Sequence, residues 1–184
     1  MSLSLPVWAM RSAATAAVIG ACGDWLMQWH EGKQTMVQVH LDRTSRLVAF
    51  RSVQAPLVEA GWRFFDRRLV HITGAGGVVV RVLCDQCLMA PPSLVGFFVT
   101  QGTLEGKSLQ ASLERASTCF WPTYAVCFPF WCTCHLLTFS VVPPKWRMAY
   151  ASCCGVMWNA IISGRNQEAI ILAEERTRAG EDSS

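Results

Sequence analysis

Hydrophobic positions along this chain gather into long runs broken by single polar residues. The 29 residues from Ala116 to Pro144 carry no formal charge, and at 1.5 Å rise per residue a helix of that length exceeds a bilayer core of about 30 Å. Pro143 and Pro144 then break the helix, and Lys145 and Arg147 place positive charge where a membrane surface is expected. A second apolar run continues from Met148 to Gly164. Upstream, residues 8–29, 46–65 and 78–102 predict three further helices. In the first, Ala13, Ala14, Ala16, Ala17, Gly20 and Ala21 are small residues that let neighbouring helices approach closely, the usual means of packing in lipid. The fold expected is an all-α integral membrane protein with about four transmembrane helices and a C-terminal interfacial or re-entrant apolar helix.

The polar residues inside these runs decide what the helices can do. Asp24 and Gln28 are four apart and share one helix face, turned toward other helices. Arg51 has no partner at helical spacing, so it predicts an acid on another helix or a water-filled cavity. Glu59 with Arg63, and Arg81 with Asp85, stand at i,i+4 and predict local ion pairs. Gln86 and His135 complete the polar set at membrane depth. Ionisable groups there demand pairing or water, which makes them candidates for a hydrated passage. The same groups serve equally as ties between helices, and both readings stay open. Pro91-Pro92 predicts a kink or local unwinding of the third helix.

Composition agrees with partial solvation by lipid: 52% of residues are hydrophobic and 16% charged, against about 25% charged in soluble domains. A net charge of +3, scattered singly, gives no basic stripe and excludes direct nucleic-acid binding as a reading. Placing four spans with both termini on one face gathers most Lys and Arg on that face, as a positive-inside bias requires; a fifth crossing removes the bias. Residues 1–167 form a single membrane domain, and 168–184 read as a polar, flexible tail. Trp62, Trp121, Trp131, Trp146 and Trp158 fall near predicted span ends and suit interfacial anchoring.

Candidate chemistry is sparse. Nine cysteines lie mostly in apolar runs and predict reduced, buried thiols instead of a disulfide framework. Cys84 and Cys87 have CxxC spacing and form a candidate redox gate. Cys132, Cys134 and His135 lack a nearby fourth ligand, so no metal is assigned. Gly74-Ala75-Gly76-Gly77 reads as a turn without the context of a dinucleotide fingerprint, and Gly102 to Ser108 falls one residue short of a phosphate-binding loop. Four single histidines and no free carboxylate pair assemble no catalytic constellation, so neither an enzyme nor a cofactor is expected. The partners expected are the lipid bilayer, with small solutes or ions and a second copy of the chain left open.

Gly23-Asp24 with Gln28, Arg81 with Asp85, Gln86 and Pro91, Pro56 with Asp66, and the C-terminal set Trp121, Tyr124, Trp131, Phe139, Val142, Pro143, Arg147, Trp158, Asn159 and Ser163 form one pattern. Over residues 13–164 it resembles the 22-kDa peroxisomal membrane protein family, which includes the mitochondrial Mpv and Sym proteins. The resemblance implies four spans, the mitochondrial inner membrane or alternatively the peroxisomal membrane, and a channel-like role in solute balance. Effects on reactive oxygen species and mitochondrial DNA maintenance are implied with it. A non-conducting scaffold or assembly factor is the alternative. Glu59, Cys132, His135 and Thr138 depart from the family pattern, where His, Pro, Gln and Asn are usual. If these positions line a polar interior, the departures predict a different selectivity or pH response.

Overall fold

The computed structural model describes residues 5–31 and 41–159 together with Ile161. Every regular element among them is helical. Helix α1 spans Val7–Glu31, α2 Leu41–Arg68, α3 Gly74–Cys84, α4 Ala90–Leu104 and α5 Leu109–Ser140. A π-helical turn over Asp85–Met89 joins α3 to α4, so Gly74–Leu104 is one rod of 31 residues. A 3₁₀ turn, Pro144–Trp146, leads into a last helix, α6, over 147–159. The predicted tail at 168–184 lies outside the described residues, as does the end of the apolar run beyond Ile161.

Three boundaries differ from expectation, the first being α2, which starts at Leu41 instead of residue 46. Residues 74–77 are not a turn but the first turn of α3, opened by Gly74 at φ +65°, a left-handed conformation that costs glycine little. The apolar run does not begin its own helix at Ala116; Leu109 to Arg115 lead into it without a break as α5, 32 residues long. Ser108 starts it by accepting a hydrogen bond from the Ala111 amide at 3.2 Å, a side-chain cap for an otherwise unpaired donor. The loop before it, instead of cradling phosphate, ends α4: Gly106 at φ +82° allows the Lys107 amide to reach the Gly102 carbonyl at 3.0 Å.

Helices α1 and α2 pack along each other as one pair, and α4 and α5 as a second; α3 lies against α5. The central core takes Ala16 from α1, Ala55, Trp62 and Phe65 from α2, Val82 from α3, Phe139 from α5, and Met148 and Ala151 from α6. A smaller cluster of Leu94, Phe98 and Ala116 closes the α4–α5 end. Polar residues dominate many of the most enclosed positions: Ser12, Asp24, Asp85, Gln86, Ser112, His135, Thr138 and Ser152 are all at most 4% exposed. Outward, by contrast, α1 presents Met10, Val18, Trp25 and Leu26, and α2 presents Val53, Leu57 and Phe64. An arrangement that shelters polar groups and displays large apolar ones suits a lipid solvent.

Among the described residues, Gly74–Leu104 is the rod both long and apolar enough to cross a membrane, its most apolar 18 residues having a mean hydropathy of 1.5. Only 28% of its apolar window is covered by the rest of the chain, whereas the core helix of a soluble protein is mostly covered. Helices α1, α2 and α5 match it in reach, at about 37 to 48 Å by helical rise. Interruptions such as Arg11 and Asp24 in α1, and Arg51, Glu59 and Arg63 in α2, lower their hydropathy.

Close helix approach is local and specific. A Cβ at Gly102 on α4 would strike the Ser112 hydroxyl on α5, whereas one at Gly96 meets nothing within 4 Å. Gly102→Val is therefore expected to cost about 1–3 kcal/mol through overpacking, read as a lowered melting midpoint of the purified protein. Gly96→Val, on the same helix, is expected to leave the midpoint nearly unchanged.

Candidate functional site

The π turn originates in two prolines. Pro91 and Pro92 sit in the first turn of α4 and carry no amide hydrogen. The last amide before them, Ala90 N–H, reaches back five residues to the Asp85 carbonyl. The Gln86 carbonyl then has no backbone donor left: its four-residue partner is committed to Asp85, and its five-residue partner is Pro91. Tyr124 of α5 supplies the missing donor, its hydroxyl 2.8 Å from the Gln86 carbonyl. The prolines therefore reshape the rod, as expected, but by widening one turn.

The widened turn holds the Asp85 and Gln86 side chains in the interior. Trp62 Nε1 of α2 donates to Asp85 Oδ1 at 2.5 Å, and Gln86 Nε2 donates to Oδ2 at 2.9 Å. His135 of α5 places Nε2 3.2 Å from the same Oδ2; because a carboxylate offers only acceptors, this nitrogen faces it as N–H. Nδ1 of His135 lies 3.4 Å from Thr138 Oγ1, which donates onward to the Cys134 carbonyl at 2.9 Å. Trp131 stacks on the imidazole at 5.3 Å between centroids, and Trp62 meets it edge-on at 5.5 Å. Orientation of the Gln86 amide toward Asp85 leaves its own Oε1 enclosed and without a donor. The resulting site joins α2, the π turn and α5 through one carboxylate.

Arg81 does not pair with Asp85 as its spacing predicts. Its Nε contacts Asp66 Oδ1 at 3.2 Å, and its two Nη atoms reach the carbonyls of Leu69, Ile72 and Gly77 at 2.8 to 3.3 Å. Several acceptors at the α2–α3 corner outcompete a single one on its own helix. Arg147 joins them from α6, with Nη1 2.6 Å from Asp66 Oδ2. Asp24, Asp85 and Arg81 thus belong to three separate clusters. In the Asp24 cluster, Arg43 Nε lies 2.9 Å from Oδ1, while Thr44 and Gln28 donate to Oδ2 at 2.6 and 2.7 Å. Glu59 and Arg63 do pair, at 2.6 Å, and Ser12 of α1 donates to the other Glu59 oxygen.

Other sequence candidates separate in the same way. Arg51 finds no carboxylate among the described residues; its Nη1 donates to Gln54 Oε1 at 2.9 Å. Trp62 is no interfacial anchor but a core residue, 2% exposed, whereas Trp121 and Trp146 are more than half exposed. Trp158 and Trp131 meet in an aromatic group with Phe130. Gly23 admits Val156 of α6 against α1, and Phe139 packs on Trp62 at 5.8 Å. Pro143, extended at φ −57° and ψ 143°, separates α5 from the 3₁₀ turn. Cys84 is half-buried and Cys87 exposed, and both are free thiols.

Sequence reasoning missed Trp62 and Tyr124 as polar partners, because their donors act across helices at long separation; Thr138, three residues from His135 on α5, was within reach of local spacing. It also missed a cavity of about 440 Å³ between α5 and α6, lined by Phe130, Leu137, Tyr150 and Met157 with the thiols of Cys134, Cys153 and Cys154. An apolar face on each helix carried that signal without stating that the two would meet.

Comparison with known proteins adds a second line of observation. Residues 102–163 match the family described as Mpv17 / PMP22. Protein SYM1 of Yarrowia lipolytica is 30% identical over 124 residues, 67% of this chain and 58% of that protein. Protein SYM1 of Gibberella zeae is 28% identical over 161 residues, 86% of this chain and 90% of its own. Protein SYM1 of Eremothecium gossypii is 30% identical over 131 residues, covering 69% and 72%. No solved structure matches.

Tyr124→Phe keeps the ring and removes the donor to the Gln86 carbonyl. An unpaired buried carbonyl is expected to cost about 1–3 kcal/mol, measured as a lower unfolding midpoint. An unchanged midpoint would mean that water replaces the hydroxyl.

Proposed function

The chain belongs to the Mpv17 / PMP22 family, and on that premise we propose that it is an organelle-membrane protein forming a gated passage for ions or small metabolites. The membrane is the mitochondrial inner membrane in this reading, with the peroxisomal membrane as the alternative. About four helices cross it: α1, α2, the α3–α4 rod and α5, with α6 re-entrant or interfacial. Solute balance is the direct role, and effects on reactive oxygen species and mitochondrial DNA maintenance follow downstream. No catalytic role is assigned.

One observation carries the gating part. Asp85 is 3% exposed yet is held by the Trp62 donor of α2 and its neighbour Gln86, with His135 Nε2 of α5 3.2 Å away. This is a latch across the helices that would have to separate for a passage to open. The π turn beside it is already widened and lacks part of its backbone ladder, so it supplies the point where the rod can bend. The described conformation is then the closed one. In a scaffold, the same contacts would be permanent ties; the complete pairing of Asp24, Glu59 and Asp66 favours that second reading for their clusters.

Planar bilayers separate the two. Purified protein is expected to give discrete current steps, and Asp85→Asn, checked for folding, is expected to raise the open fraction and shift cation preference. A folded but silent protein, wild-type and mutant alike, would overturn the passage and leave the scaffold.

A further inference from the structure

Buried faces of three helices converge on one guanidinium. On α2, Arg51 shares by spacing the face of Thr44, Ala55, Val58, Trp62 and Phe65, reached in steps of seven, four, three, four and three residues. Its stem passes Gly20 of α1, where a Cβ would lie 3.9 Å from Cγ. Its head reaches Gly155 of α6, where a Cβ would lie 2.9 Å from Nη2. Glycine at 155 is thus what lets the Nη2 end of the guanidinium lie close against α6.

Among the described residues, charge at this junction is uncompensated. No carboxylate among the described residues ion-pairs with Arg51, and the acids nearest along the same helices are committed elsewhere. Asp24, one turn beyond Gly20, is held by Arg43, Thr44 and Gln28; Glu59, two turns beyond Arg51, is held by Arg63 and Ser12. Gln54 occupies only Nη1, through a neutral amide oxygen. A second polar group nearby is unsatisfied too. Ser152, 2% exposed, has an enclosed hydroxyl with no partner and sits three residues before Gly155, on the same side of α6.

We propose that Arg51 is the seat of a small oxyanion, a phosphate or carboxylate group, at the junction of α1, α2 and α6. The remaining Nε and Nη2 donors form the planar edge that matches two oxygens of such a group. Ser152 supplies a hydroxyl donor from the adjoining turn. Placement separates two sources of the anion: Arg51 lies ten residues into α2, about 15 Å from its start by helical rise. A lipid headgroup would have to sink about half the hydrocarbon core to reach it, which favours a soluble anion. The site extends the passage reading by giving it a solute class, but binding stands apart from conduction. A protein that binds phosphate and carries no current would keep the site and lose the passage.

The test uses the full chain in nanodiscs of pure phosphatidylcholine, melted with increasing inorganic phosphate and then succinate, against chloride at matched ionic strength. A second arm uses nanodiscs containing phosphatidylglycerol without added phosphate. A saturable rise of several degrees is expected in the first arm. Arg51→Gln is expected to abolish that rise while keeping or raising the ligand-free midpoint, because it removes an unpaired charge. Gly155→Ala, which narrows the approach to Nη2, is expected to weaken phosphate about tenfold, the loss of one charge-assisted hydrogen bond, and serves as the variant if Arg51→Gln does not fold. A rise confined to phosphatidylglycerol and lost in either variant would assign the site to a headgroup phosphate. Absence of any saturable rise in wild type, or a rise unchanged in the folded variants, would overturn the proposal.

Discussion

A proline cannot donate a backbone hydrogen bond, and in a membrane interior no water is at hand to correct the deficit. Pro91 leaves the Gln86 carbonyl to be satisfied from outside its own helix, and Tyr124 on α5 does so. That tether fixes the register of the α3–α4 rod against α5. It also leaves the widened turn pointing Asp85 at Trp62 and His135, so the third helix of the site is recruited through the same defect. Backbone arithmetic at one turn therefore determines where this enclosed carboxylate of the bundle lies.

Polar groups elsewhere do comparable work at the corners. Asp66 gathers Arg81 and Arg147, linking α2, α3 and α6 near one end, while Asp24 gathers Arg43 and Thr44 where α1 and α2 approach each other. Apolar packing fills the space between these points without directing it, since lipid outside is as apolar as the side chains inside. The pairing pattern, more than the hydrophobic core, specifies which helix lies beside which.

Much of this was legible from spacing alone. The long helices, the Asp24–Gln28 face and the Glu59–Arg63 pair follow from i,i+4 geometry, which depends on nothing distant. Arg81–Asp85 satisfied the same rule and failed, because Asp66 and the carbonyls of Leu69 and Ile72, together with that of Gly77 one turn back, offered Arg81 more acceptors than Asp85 did. His135 and Asp85 are 50 positions apart in the chain, and no local pattern couples them. Trp62 illustrates the ambiguity of an amphipathic side chain: an indole near a predicted helix end suits an interface, yet here its N–H is turned inward to a carboxylate. The π turn was half visible, since Pro91-Pro92 announced a disturbance but not its form.

The α1–α2 pair shows what two helices gain from lying together. α2 alone exposes Arg43, Arg51, Glu59 and Arg63 on a rod that lipid would reject. Against α1, Arg43 meets Asp24, Ser12 reaches Glu59, and the Arg63 guanidinium lies 4.7 Å from the centre of the Trp8 ring. Apart from Arg51, these charges gain partners on α1 as the two helices close on each other. Separating the pair would take Arg43 and Thr44 from Asp24 and Ser12 from Glu59 at one stroke, so the two helices behave as a single unit of the fold.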